Sequence, residues 1–133
     1  MGISRGGRAK AEMVVNLVSF GYKHGVPVDA DLVFDLRCLP NPYFVDALRD
    51  LTGRNRAVVR YMRRYPATQE FVDKLESFLR FVLPHYAQEG KAYLTVALGC
   101  TGGRHRSVMM AETLKKSLTG TKGVRLRVKH RDS

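Results

Sequence analysis

Apolar residues along this chain follow two rhythms, and each predicts an element. The runs 13–20 (MVVNLVSF) and 93–99 (YLTVALG) are short, rich in β-branched residues and nearly continuous, which reads as buried strands. Residues 32–37 (LVFDLR) read as another strand. Residues 124–130 (VRLRVKH) alternate: Val124, Leu126, Val128 and His130 fall on one face, and Arg125, Arg127, Lys129 and then Arg131 on the other.

Between these runs the period lengthens. Phe71, Leu75, Phe78, Leu79 and Val82 recur at intervals of three and four, predicting one buried face on a long helix over 68–86. Thr68 is its expected N-cap, and Pro84 is expected to kink or end it. Shorter helices are expected at 43–51, 55–64 and 107–118. The stretch CLPNPY interrupts regular structure with two prolines, and Asn41 can cap the helix expected after it. The order β, β, helices, β, loop, α, β predicts one small α/β domain over 13–133. Its sheet has about four strands, mostly parallel or mixed, flanked by helices. Residues 1–12 are expected to be a flexible basic tail.

Charge narrows the function. Lys and Arg total 23 against 12 acids, a net +11 in 133 residues. A domain this basic suits nucleic acid, phosphorylated ligands or an anionic membrane. The cations come in two blocks: five arginines and no acid at 54–64, and nine basic residues with Glu112 as the lone acid at 104–131. No segment reaches the ~18 consecutive apolar residues of a membrane span, so a membrane partner is not expected. MGISRGGRAK lacks the apolar core of a secretory signal. Cys38 and Cys100 form no CxxC pair and no zinc spacing, so reduced thiols, a cytoplasmic place and no metal or cofactor are expected.

The sharpest local signal is CTGGRHRS, between the 93–99 strand and the 107–118 helix. Ligands of open α/β sheets bind beyond the carboxyl ends of strands. Gly102 and Gly103 can expose consecutive backbone N–H groups as an anion nest at a helix N-terminus. Arg104 and Arg106 add guanidinium donors, and Thr101 and Ser107 add hydroxyls. A phosphate-binding strand–loop–helix over 94–118 is therefore expected, against the plainer reading of a linking glycine turn. Cys100-x5-Arg106-Ser107 also has the spacing of the phosphate loop of cysteine-dependent phosphatases. In that alternative Cys100 is the nucleophile, Arg106 the clamp and Asp35 or Asp29 the general acid. Those enzymes place His before the cysteine, where this chain has Gly99.

Lys23 and His24, in the loop after the first strand, are expected to face the same crevice, and Tyr43 of NPY to border it. Asp29, Asp31 and Asp35 are spaced irregularly, which suits capping and pairing with arginines better than metal binding. The one-sided row Arg125, Arg127, Lys129 and Arg131 suits contact with a nucleic-acid backbone; the alternative is a solvated edge strand.

These pieces together resemble one family. SFGYKHG, DADLVFDLRCLPNPY, LTG, YLTVALGCTGGRHRSVMMAE and VKHRD, over about 16–132, are similar to the C-terminal domain of the RapZ family, the RNase adapter proteins. The resemblance implies an RNA-binding domain that senses glucosamine-6-phosphate, presents small RNA to an endoribonuclease and works as a homo-oligomer in the cytoplasm. It implies a phosphosugar pocket of Thr101, Gly102, Gly103 and Arg106 beside the NPY turn. RNA would be contacted by Lys23, His24, Arg104 and the basic last strand. The family's N-terminal nucleotide-binding domain has no counterpart in this sequence, which holds no GxxxxGK[ST] motif, so nucleotide hydrolysis is not implied.

Overall fold

The computed structural model describes residues 12–133. The first eleven residues of the expected tail lie outside it. Four strands form one sheet: β1 (Met13–Gly21), β2 (Leu32–Asp35), β3 (Tyr93–Cys100) and β4 (Val124–His130). Three α-helices accompany them: α1 (Arg56–Arg63), α2 (Pro66–Gln88) and α3 (Arg106–Leu118). Short 3-10 turns cover Tyr22–His24 and Pro42–Phe44.

The strand order is β2-β3-β1-β4, and every pairing is parallel. The expected sheet is thus present with no antiparallel member. Topology then sets the layers. The crossovers β2→β3, through α1 and α2, and β3→β4, through α3, run in one direction across the sheet. Right-handed crossovers in one direction put their helices on one face. Alternate residues of the central strands share a single core with all three helices. Met13, Val15 and Leu17 of β1 and Leu94, Val96 and Leu98 of β3 pack with Val58, Leu79 and Leu114. The β1→β2 connection runs the opposite way and so crosses the other face. Pro27 and Asp29 lie there beside Asn16, Val18 and Lys129.

Two helix expectations are corrected. Residues 43–51 form a 3-10 turn and successive turns, not an α-helix. The two prolines before them and the absence of any long apolar period leave nothing to propagate a helix. α2 starts at Pro66, whose missing N–H is harmless in the first turn, so Thr68 lies inside the helix and is buried. The helix also continues past Pro84 to Gln88. Its buried face is Thr68, Val72, Leu75, Leu79 and Leu83, while Phe78 is 43% exposed. Among the described residues, no helix is long and apolar enough to cross a membrane.

Candidate functional site

The strand order reverses between β1 and β3, because the chain leaves the two strands toward opposite faces of the sheet. A crevice opens at such a switch point, outside the carboxyl ends of the strands. Here it is a cavity of about 600 Å³. Lys23 and His24 come to it from the turn after β1, Tyr43 from the 3-10 turn, and Cys100, Thr101, Gly102, Arg104 and Arg106 from the end of β3 and the loop behind it. Gly103, Ser107 and Asp35 do not line it.

Backbone packing shapes the loop. Gly103 has φ +81°, and a Cβ there would stand 2.5 Å from Gly21 N. Gly21 in turn would meet Gly102 C at 2.4 Å. The two segments lie backbone on backbone, which only glycine permits. Gly102 differs: a Cβ there meets nothing within 4 Å. Among the described residues, no backbone N–H from Gly102 to Arg106 donates to a protein acceptor. These five amides lie at a strand–loop–helix junction, and the N-terminal end of α3 stands behind them.

Arg106 is 4% exposed and is bound by the protein itself. Its Nη1 donates to Arg37 O and Leu39 O, each at 3.1 Å, and its Nη2 to Thr101 Oγ1 at 3.3 Å. Nε is buried without a partner. Arg106 thus ties the turn after β2 to the loop, and Nε is the one nitrogen with no protein acceptor. Cys100 is also buried. Its thiol donates to Ser107 Oγ (3.2 Å), and its sulfur accepts from Ser107 N–H (3.4 Å). Asp35 is held by Arg37 through Oδ1–Nε at 2.9 Å and Oδ2–Nη2 at 2.7 Å. The Arg37 hydrogen bond keeps the Asp35 carboxyl below its usual range, despite some opposing desolvation.

The rim contains cations that the sequence reading missed. Arg37 stacks over the Tyr22 ring at 3.8 Å. Arg49 donates to Tyr43 O (3.0 Å) and pairs with Asp46 (2.7 Å), lying 5.3 Å from the Tyr43 ring. Asn41 Oδ1 accepts from Tyr43 N–H at 3.1 Å and so holds the NPY turn. Arg37 was findable, since it is the last residue of the strand predicted over 32–37, which ends at Asp35 in the structure. Arg49 was not, because only the fold of the 42–50 turns brings it to the rim.

His105 forms the floor. Its Nε2–H donates to Leu48 O at 3.2 Å. Burial is the main cause of its pKa falling below 6.5, outweighing that bond.

The basic row on β4 stands apart from the cavity. Arg125, Arg127 and Lys129 are exposed on the face that the helices do not cover. Arg131 lies just past the strand and is engaged, pairing with Asp132 at 2.9 Å and donating to Gly25 O at 2.5 Å. Asp132 accepts from Gly21 N–H at 2.8 Å, which pins the last residues against the end of β1. His130 Nε2 meets Glu112 at 2.7 Å and its Nδ1 meets Ser19 Oγ at 2.7 Å, which joins β4 to α3 and β1.

A family model described as RapZ C-terminal domain matches residues 13–133. A nucleotide-binding protein of Acidobacterium capsulatum is 57% identical over 129 residues, which is 97% of this chain and 41% of that protein. Proteins with the same description from Koribacter versatilis (55% over 122 residues) and Moorella thermoacetica (50% over 126) are matched over 39% and 42% of their lengths. The chain thus spans about two-fifths of the curated relatives it matches.

Proposed function

The chain belongs to the RapZ C-terminal domain family, and on that premise we propose that it is a non-catalytic regulatory module for a phosphorylated amino sugar and RNA. The sugar, of the glucosamine-6-phosphate class, sits in the cavity at the carboxyl edge of the sheet. Its phosphate lies against the amides of Gly102 to Arg106 with Thr101 Oγ1 beside it, and Arg104, Lys23 and His24 add charge at the mouth. RNA is held by that mouth and by Arg125, Arg127 and Lys129 of β4. An endoribonuclease is the protein partner, and the working form is a cytoplasmic homo-oligomer.

One observation supports the reading above the others: Gly102, Arg104, His105 and Arg106, whose backbone N–H groups have no protein acceptor among the described residues, line a cation-rimmed cavity. Isothermal titration with glucosamine-6-phosphate tests it, with glucosamine and inorganic phosphate as comparison arms. Gly102→Val puts a side chain into open space without touching the packed backbone. That variant is expected to melt with the parent but bind at least about tenfold more weakly, a change of about 1.4 kcal/mol. An unchanged affinity would remove the loop from the site.

The Cys100–Ser107 contact keeps the phosphatase alternative in view. Its general acid is the weak point. A carboxyl held ionised by Arg37 has no proton to give a leaving group, and Asp35 does not line the cavity. Turnover of an aryl phosphate that Cys100→Ser abolishes would reverse this judgement.

A further inference from the structure

The cavity and β4 leave one strongly charged element unused. α1 carries Arg56, Arg60 and Arg63, with Arg54 before it and Arg64 at its C-cap. Val58 and Met62 are fully buried, so the apolar side of this helix is spent in the core. At ~100° per residue, Arg56, Arg60, Arg63 and Arg64 fall within roughly 100° of arc on the opposite side. All four are exposed.

The other long helix treats its cations differently. On α2, Arg80 pairs with Glu76 at 2.8 Å, and Lys74 reaches Glu70 at 3.9 Å. Among the described residues, Arg56, Arg60, Arg63 and Arg64 form no ion pair, and Arg54 reaches Glu112 at 3.9 Å, as Lys74 reaches Glu70. Arg63 donates to the neutral Gln69 Oε1 at 2.8 Å. Arg56–Arg60 and Arg60–Arg64 are like charges four residues apart, a spacing that destabilises a helix until an anion arrives. The surface also joins the cavity rim. Gly53 N–H donates to Arg104 O (2.8 Å), and Arg104 Nη2 to Asp50 O (3.2 Å). Cations therefore run from Arg104 past Arg54 onto α1.

Chemistry selects the occupant. A protein partner needs apolar anchors inside a polar rim. An anionic membrane needs an exposed apolar helix face. This surface has no aliphatic anchor, because Val58 and Met62 face inward, and a lone aromatic at its end does not make an apolar core. A sugar–phosphate backbone needs only guanidinium donors at intervals, and arginines four apart on a helix rise by roughly 6 Å. Tyr65 is 41% exposed at the end of the row and stands edge-on to Tyr61 at 5.4 Å, a ring on which a base can stack.

We propose that α1 is a second nucleic-acid surface, gripping the backbone of a single strand that runs off the cavity rim across Arg54, Arg56, Arg60 and Arg64. The proposal rests on the RNA-binding function proposed for this domain and adds a surface which that function does not use.

The test is the salt dependence of binding by the full chain to a single-stranded RNA of mixed sequence. The triple variant Arg56→Gln/Arg60→Gln/Arg64→Gln is expected to flatten the slope of log K against log salt by about 2, with three fewer phosphate contacts. Its melting temperature should equal or exceed the parent's, since repulsion is relieved. The matching lysine variant, which keeps the charge, should retain most of the slope. If parent and triple variant share one slope, the α1 proposal falls while RNA binding elsewhere stands. If the triple variant loses the slope and Arg125→Gln/Arg127→Gln does not, α1 stands and the β4 assignment falls. Absence of RNA binding by the parent sinks both. Competition by a polyglutamate of equal charge as effective as RNA would assign the surface to an acidic protein instead.

Discussion

Arg106 and Arg104 stand two residues apart and do different work. Arg106 is buried and donates to two carbonyls and a hydroxyl. Removing it orphans Arg37 O and Leu39 O. Arg106→Ala is expected to cost roughly 3 kcal/mol of stability in urea denaturation, and Arg106→Lys should not fully restore it, since one ammonium cannot stand both where Nη1 meets Arg37 O and Leu39 O and where Nη2 meets Thr101 Oγ1. Arg104→Ala, at an exposed site, should change stability by less than about 0.5 kcal/mol while weakening anion binding. Gly99 is fixed by its neighbours in the same way. A Cβ there would stand 2.4 Å from the Phe20 ring and 2.6 Å from Tyr22, so the histidine of cysteine-dependent phosphatases has no room at this position. His105 gives a pH signature. Its folded pKa lies below 6.5, chiefly through burial. The unfolded chain then takes up a proton that the folded chain refuses, so stability present above 6.5 is lost as pH falls toward the lower folded value. Thermal melts from neutral pH to pH about 5 should show this loss, and His105→Gln should shrink it. The depressed Asp132 acts only at lower pH, below its usual 3.8, so it does not blur that window.

At the level of elements, α2 tests how periodicity is read. Phe71, Leu75, Phe78, Leu79 and Val82 do fall on one side, yet the core takes Val72, Leu75, Leu79 and Leu83. The two stripes overlap at Leu75 and Leu79, and sequence spacing cannot say which flank turns inward. Packing of α2 against α3 and α1 makes that choice. Leu79→Ala should therefore cost about 2–5 kcal/mol, and Phe78→Ala less than half as much, by urea denaturation of each variant. Equal losses would contradict the assigned face. β4 shows the converse case. Its alternation was legible because a strand has only two faces, and Arg125, Arg127 and Lys129 are exposed as the period requires. Arg131 escaped the pattern since the strand ends at His130 and Asp132 captures the next guanidinium.

For the molecule as a whole, the sheet keeps the cavity and the β4 cations apart. All three helices pack on one face. The β4 cations lie on the opposite face, and the cavity opens at the carboxyl edge. None of Arg125, Arg127 and Lys129 lines the cavity. Arg125→Glu/Arg127→Glu is expected to weaken RNA binding by tenfold or more, since each change reverses a charge, while leaving the affinity for the sugar phosphate within about twofold. Parallel measurement of both affinities checks this, and equal loss of the two in a folded variant would contradict separate surfaces.

Local chemistry decided the elements that the sequence could announce by itself. Strand runs, the glycine-rich loop and the charge blocks are properties of neighbours in the chain, so they survive without a fold. The α/β class and the meeting of the β1 and β3 loops followed from them. Tertiary structure decided the rest: that the sheet is wholly parallel, that Arg106 braces a turn, that Arg49 reaches the rim, and which stripe of α2 is buried. Each of these depends on groups tens of residues apart coming within hydrogen-bond or packing distance. Short-range spacing carries no record of such distances.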